Sequence, residues 1–351
     1  MPKIIRDFRI CQDCLRKATM SVNPDVTASA GGTPAEPDFF NLKVVRKEAV
    51  AQGIYLFELG HPEGLDLPAF TAGSHLTVQV PNGARRNYSL CSDPADTGCY
   101  QIAVKRDAAG RGGSISMADD VQVGQLLAVS APRNNFELHP RASSFLFIAG
   151  GIGITPVLSM MRHLKRQGRN PFKLIYCTRD ADSTAFVQEL TGPEFAAHVQ
   201  LHHTQGDASQ ALDLWPVFET PGSAHVYCCG PRGLMDAVAD MSGHWPSGSI
   251  HFESFGVDAS TYAADTAFTV RLHKTGINVP VDAGQTILQA LRACGHHVSS
   301  SCESGTCGSC RTTLLAGEAE HRDMVLSDDD KTHQIMVCVS RAKSAELVLD
   351  L

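Results

Sequence analysis

The chain has no excess of positive charge. Its 30 Lys and Arg face 37 Asp and Glu, a formal net charge of −7, which argues against a nucleic-acid-binding surface. No secretory leader is visible, because the N-terminus is charged and lacks an apolar core of the needed length. The chain also lacks an unbroken apolar run of the roughly 20 residues that a membrane span needs. The best candidate, Ser143 to Met161, is interrupted at Gly150-Gly151 and Pro156 and is followed at once by Arg162. A cytoplasmic protein is therefore expected. There is no internal repeat. The 12 cysteines do not form the dense framework of a short secreted scaffold; four gather near the C-terminus, and in a long chain such a group reads as metal-binding before it reads as disulfides.

What is present divides into segments of different rhythm. A length of 351 residues suggests two or three domains. Residues 1–37 read as a disordered extension, rich in Ser, Thr, Ala, Gly and Pro from Ser21 onward. Within it Cys11 and Cys14 supply half a zinc site at most, and Met20 offers a second start. Residues 38–138 carry six short strands: Asn41–Arg46, Ile54–Leu59, Leu76–Val80, Asn87–Leu90, Tyr100–Lys105 and Gln125–Ser130. Turn residues separate them, and the spacing predicts an antiparallel barrel. Residues 139–255 alternate strand and helix, with strands at Phe145–Ala149, Lys173–Cys177 and His225–Cys228, which predicts a parallel α/β sheet. Residues 256–266 read as a linker. The last segment, 267–351, opens with strands Phe268–Leu272 and Val279–Val281. A helix over Thr286–Cys294 follows, with Cys294 expected in the core, and two late strands lie near Val337 and Leu347.

The strongest local signal is Cys302-x4-Cys307-x2-Cys310, with Cys338 downstream. This is the plant-type [2Fe–2S] spacing. Three ligands on one tight loop must wrap two irons, so the intervening residues must be small; Ser304, Gly305, Thr306, Gly308 and Ser309 meet that need. Glycines also let backbone amides turn toward sulfur and tune the potential. Structural zinc is the competing reading, but its sites show paired knuckles instead of this spacing.

Two turns read as a nicotinamide site. Gly150-Gly151-Ile-Gly153-Ile-Thr155-Pro156 joins a strand to a helix start, where glycines allow close backbone approach and the helix N-terminus favours a pyrophosphate. It departs from the Rossmann G-x-G-x-x-G. Cys229-Gly230-Pro231 closes a later strand, where ligands gather in parallel sheets. Thr178 and Arg179 end the second strand, at the position that meets the adenosine ribose. Arg179 suits a 2′-phosphate and Asp180 repels one, so these residues leave NADH and NADPH open. In the barrel, Arg86, Tyr88 and Ser89 combine a phosphate partner, a ring for a flavin and a hydrogen-bonding hydroxyl, although a strand tyrosine is ordinarily core. The loop Gly110-Arg-Gly112-Gly113-Ser114 suits a terminal phosphate; a plain hairpin is its alternative. Asp328-Asp329-Asp330 reads as a solvated loop, with charge steering of a partner as the other possibility.

The order of these motifs, RNYSL, AVKRD, GRGGSIS, AGGIGITP, YCCGP, HFESFG and SSCESGTCGSC, resembles the ferredoxin–NAD(P)H reductase superfamily with a fused C-terminal ferredoxin. The likeness runs from about Phe39 to Leu351. It implies a multidomain α/β and β fold: an antiparallel flavin-binding β-barrel, a parallel α/β nicotinamide-binding domain and a β-grasp plant-type ferredoxin domain. It implies FMN in place of FAD, and NADH as donor. It further implies that Ala103, Val104 and Lys105 hold the flavin edge beside Arg86, Tyr88 and Ser89, and that Gly112, Gly113 and Ser114 hold its phosphate. Thr155, Glu253 and Phe255 would lie near the reactive ring.

Such a reductase carries electrons from NADH through FMN and the cluster to a terminal oxygenase with a Rieske centre, in aromatic catabolism of the phthalate type. A flavin must stand between a two-electron donor and a one-electron acceptor, and no side chain need act as nucleophile or general base. A monomer is expected. Two other readings are a reductase serving an oxygenase or O-demethylase for a different aromatic acid, and a non-enzymatic iron–sulfur redox sensor.

Overall fold

The computed structural model describes residues 39–110, 112–168, 170–246, 248–255 and 265–351. The N-terminal extension with Cys11 and Cys14, and most of the expected linker, lie outside them. Among the described residues no helix is long and apolar enough to cross a membrane.

The first unit is a barrel of β1 (Phe39–Ala51), β2 (Ile54–Gly60), β3 (Ser74–Gln79), β4 (Arg85–Ser89), β5 (Cys99–Lys105), β6 (Leu126–Ser130) and the short β7 (Arg133–Asn134). Its antiparallel order is β4-β3-β6-β1-β2-β5, with β7 on β3. A bridge between Leu90 and Ile102 joins the two ends of that order and closes the sheet on itself, which removes its edges. Alternation drives Leu42, Val44, Phe57, Leu59, Leu76, Val78 and Val129 into one core. Helix α1 (Gly113–Asp120) packs Met117 into that core.

The second unit is a five-stranded parallel sheet, β10-β9-β8-β11-β12, built from β8 (Phe145–Gly150), β9 (Phe172–Thr178), β10 (Val199–His203), β11 (His225–Cys229) and β12 (Ile250–Glu253). The chain reverses its direction of winding between β8 and β11. That switch point opens a crevice beyond the C-terminal ends of the strands, and both glycine turns are placed there. Helix α2 (Ile154–Gln167) buries Ile154, Val157, Leu158, Met160, Met161 and Leu164. These residues share one core with Ile54, Leu56, Cys91 and Ala103 of the barrel, so the first two units are packed as one hydrophobic body. Polar anchors add to it: Arg162 Nη1 donates to the Cys91 carbonyl at 2.7 Å, and Ser159 Oγ to that of Ser92 at 2.8 Å.

The third unit is a mixed sheet, β14-β13-β19-β15-β17, from β13 (Phe268–Leu272), β14 (Asn278–Val281), β15 (Arg311–Ala316), β17 (Gln334–Met336) and β19 (Glu346–Leu349). A short pair is formed by β16 (Ala319–Glu320) and β18 (Arg341–Ala342). Strand β19 runs parallel to β13 and antiparallel to β15. Helix α4 (Ile287–Ala293), which follows α3 (Arg232–Ser242) of the second unit, is fixed at its start by a capping box between Thr286 and Gln289. This unit has a core of its own, around Val270, Val279, Ile287, Leu291, Ile335 and Leu347.

Two expectations are corrected. Cys294 is exposed at the helix end and not in the core: the helix stops at Ala293, and Cys294 is its cap. Asp328–Asp330 is not a loop but the first turn of a short helix capped by Ser327, with Asp330 paired to Arg311. The end of the expected linker is fixed, because the Asp265 side chain is 1% exposed between two guanidinium groups.

Candidate functional site

Strand β4 brings Arg86, Tyr88 and Ser89 to one rim of the barrel. The Arg86 side chain lies against the backbone of the Gly112-Gly113 turn: a Cβ on Gly113 would fall 2.6 Å from Arg86 Nε. Gly112 takes a φ of 78°, in the left-handed region where glycine is favoured. Ser114 Oγ accepts from the Asp107 amide at 3.1 Å. The guanidinium, the glycine turn and the start of α1 therefore meet in one place, where a phosphate would find cationic and amide donors. The Tyr88 hydroxyl is buried without a hydrogen-bond partner, and burial pushes its pKa up to about 12. A buried phenol ordinarily finds an acceptor, and this one has none among the described residues.

Strand β5 places Ala103 and Val104 with buried side chains, leaving their backbone for contacts, while Lys105 is exposed at the strand end. Ser89 Oγ lies 3.3 Å from Glu253 Oε2 across the cleft between barrel and sheet. Glu253 is 9% exposed, and burial raises its pKa to about 8, against the opposing hydrogen bond from Ser89. Cys229 is the cross-strand partner of Glu253, and burial first, then the neighbouring Glu253, hold its thiol well above the ordinary range. Phe255, two residues on, is 46% exposed at the mouth.

At the switch point the two nicotinamide turns touch. A Cβ on Gly150 would fall 2.5 Å from the Pro231 ring, and one on Gly230 2.9 Å from Gly150. A Cβ on Gly153 would collide with the Cys229 carbonyl. Gly151 has a φ of 52° and open space beside it. Thr155 is buried at the start of α2 and donates its hydroxyl to the Ile152 carbonyl at 3.0 Å. At the end of β9, Thr178 Oγ1 contacts His203 Nδ1 at 2.8 Å, and Arg179 pairs with Asp180 at 3.1 Å. Hydrogen bonds from Ser183 hold Asp180 below the usual carboxylate range.

The cysteine loop sits over the same cleft. Ser304 Oγ donates to the Ser254 carbonyl at 2.9 Å, next to Glu253, and Asn135 Nδ2 donates to Ser301 Oγ at 2.7 Å. Backbone amides point at sulfur: Ser304 N lies 3.4 Å from Cys302 Sγ, and Cys302 N lies 3.5 Å from Cys307 Sγ. The thiols stand as two pairs in mutual contact, Cys302 with Cys307 and Cys310 with Cys338. Among the described residues no three His, Cys, Asp or Glu side chains gather around a single metal position. Two pairs of cysteine sulfurs, one pair to each iron, are a donor set that fits a diiron cluster.

The resemblance put Ser89 and Glu253 both at the flavin ring, but the sequence reading did not foresee their direct contact across 164 residues. It also missed the buried His75, which burial and Arg133 hold below the usual imidazole range while Cys302 acts against them. Neither feature has a local signal.

These sites, in this order, define an NAD-dependent flavin oxidoreductase with an iron–sulfur domain. The chain matches three family profiles: an oxidoreductase FAD-binding domain over residues 41–138, an oxidoreductase NAD-binding domain over 147–240 and a 2Fe-2S iron-sulfur cluster binding domain over 270–343. It is 60% identical to the phthalate 4,5-dioxygenase oxygenase reductase subunit of Pseudomonas putida, over 89% of this chain and 97% of that protein. It is 57% identical to the phthalate dioxygenase reductase of Burkholderia cepacia, over 91% and 99%. A solved structure of phthalate dioxygenase reductase, described as a modular structure for electron transfer from pyridine nucleotides to [2Fe-2S], superposes with a TM-score of 0.70 at 57% identity, covering 89% of this chain and 98% of that one. The chain belongs to the phthalate dioxygenase reductase family.

Proposed function

We propose that this chain is the reductase component of a Rieske-type aromatic-ring dioxygenase of the phthalate class, passing electrons from NADH through FMN and a [2Fe–2S] cluster to that oxygenase. The observation that carries the reading is the convergence of three sites on one cleft: the Ser89–Glu253 pair, the two touching glycine turns and the cysteine loop bonded to Ser254. When bound, a flavin accepts two electrons together from a pyridine nucleotide and releases them singly to an iron–sulfur centre.

The chain's own residues position these partners. Arg86, Gly112, Gly113 and Ser114 would hold the flavin phosphate, with Tyr88, Ser89, Ala103, Val104 and Lys105 along the ring. Gly150, Gly151, Gly153, Thr155, Pro156, Cys229, Gly230 and Pro231 would hold the nicotinamide half and the pyrophosphate, and Thr178 and Arg179 the ribose. Asp180, held ionised, disfavours a 2′-phosphate and supports NADH. Glu253, its pKa raised by burial, would stand with Ser89 at the ring's edge, and Phe255 would cover the mouth. Cys302, Cys307, Cys310 and Cys338 would hold the cluster. We take the protein to be cytoplasmic and monomeric.

Flavin extracted from anaerobically purified protein should be FMN and resist phosphodiesterase. Coupled NADH oxidation should appear with a phthalate-class Rieske oxygenase and be at least about tenfold weaker with a vanillate-type one, since electrostatic and shape complementarity set partner choice. Equal coupling to both, or preference for the second, would assign the chain to another aromatic acid.

A further inference from the structure

The barrel and the parallel sheet share a core, whereas the iron–sulfur unit has a core of its own. Something other than a common core must set the position of the cluster. The segment Arg322-Asp323-Met324 has the required connections. Its Arg322 carbonyl accepts from Arg232 Nη1 at 2.7 Å, and Arg232 opens α3 directly after Pro231 of the nicotinamide turn. The Met324 side chain packs on the core of the parallel-sheet unit, the cluster that holds Ile148, Val226, Cys228 and Met235. The Met324 amide donates to the Gly305 carbonyl in the cysteine loop at 3.0 Å. Gly305 has a φ of 78°, and a Cβ there would fall 3.2 Å from Asp323 Cα, so loop and segment are in close register.

The same segment is fixed from its other side. Arg322 Nη2 donates to Asp265 Oδ1 at 2.7 Å, and Arg341 Nε pairs with Asp265 Oδ2 at 3.0 Å. Arg341 is 2% exposed; it stacks over Phe268 and donates to the Thr266 carbonyl at 2.9 Å. A carboxylate held between two guanidiniums, with carbonyls taking further donors of Arg341 and the Glu320 carboxylate taking those of Arg322, is an arrangement in which buried charge specifies one geometry. None of these residues lies among the cluster ligands or the residues assigned to flavin and nucleotide.

We propose that Arg232, Arg322-Asp323-Met324 and Asp265 form a positioning latch that sets the cysteine loop against the nicotinamide half and so sets the rate of electron passage to the cluster. Arg232 and Asp265 are its positioning residues. This rests on the electron route proposed above. Because electron tunnelling weakens steeply with separation, a loosened latch slows that one transfer and leaves earlier events alone.

The test uses the full holoprotein, with Arg232→Ala, Arg232→Lys and Asp265→Asn. At saturating NADH, flavin bleaching should stay within about twofold of the parent, while cluster bleaching in Arg232→Ala slows roughly tenfold or more, as small misplacements of reacting groups do. Arg232→Lys, which keeps a donor, should recover most of that loss. Cluster circular dichroism should be unchanged in Arg232→Ala, and hydrogen exchange over residues 303–306 and 320–324 should be faster in the absence of NADH. Asp265→Asn, which removes the charge shared by Arg322 and Arg341, should quicken exchange over residues 320–324 in the folded holoprotein, and unchanged exchange there would remove Asp265 from the latch. An unchanged cluster phase and unchanged exchange in Arg232→Ala would overturn the latch. If exchange quickens while the cluster bleaches ahead of the flavin, the latch stands as a positioning device and the electron route fails.

Discussion

Cys338→Ala should abolish the iron–sulfur centre while leaving the rest of the reductase working. Cys338 is the one proposed cluster ligand outside the short loop, and it is 2% exposed beside Cys310. Its loss would leave Cys310 without its partner and the cluster one ligand short. Metal affinity and local folding are linked, so a missing ligand costs both. Iron and acid-labile sulfide should fall below about a tenth of the parent, and electron delivery to a partner oxygenase should drop by roughly a hundredfold or more, exceeding what loss of an outer-shell contact costs. Flavin content and NADH-dependent flavin bleaching should persist, because the first two units have their own shared core. Cys294→Ala is the matched control: that thiol is exposed at a helix end, and its removal should change none of these readings. Retention of full iron and sulfide in Cys338→Ala would remove this cysteine from the ligand set.

Gly153→Ala should give the second largest effect, on nucleotide binding. The added methyl would run into the Cys229 carbonyl, part of the facing backbone. A backbone neighbour cannot rotate away, so the two turns must separate. Overpacking of this kind costs about 1–3 kcal/mol, and here the cost falls on the surface offered to the pyrophosphate. The KM for NADH should rise about tenfold to a hundredfold, in line with that energy, with flavin content retained. Gly151→Ala makes the contrast. Its φ of 52° is unfavourable, but nothing lies within 4 Å of the new Cβ. It should lower stability by about 1 kcal/mol through backbone strain and move KM far less. Similar KM values for the two variants, measured with melting temperatures, would show that close contact between the turns does not govern binding.

The parts of this architecture legible in the sequence are those whose geometry is local. The proposed cluster ligands are recognisable because three of the four sit on one loop, where chain spacing and metal geometry are the same constraint. The glycine turns are recognisable for a related reason: a close approach to Cys229 and Pro231 admits no side chain. The strand pattern of the barrel follows from alternation in β2, β3 and β5. Strand β10 escaped notice because Val199–His203 is an edge strand with only partly buried side chains, and so carries no apolar run. Cys294 was misplaced because helical periodicity says which face a residue occupies and not where the last turn ends.

Features made by tertiary approach left no trace in sequence. Nothing near Ser89 announces Glu253, and nothing near Asp265 announces Arg322 and Arg341. The latter two are separated from Asp265 by 57 and 76 positions, and the carboxylate becomes distinctive only once folding takes it from water and places it between them.

Electrons must reach the flavin before the cluster if the flavin converts pairs of electrons into single ones. Anaerobic holoprotein mixed with NADH in a stopped-flow spectrophotometer should show the flavin band bleach first and the cluster band bleach in a later, separate phase, with both lost in proportion to NADH added. Cluster bleaching ahead of the flavin, or cluster reduction by NADH in protein stripped of its flavin, would contradict it.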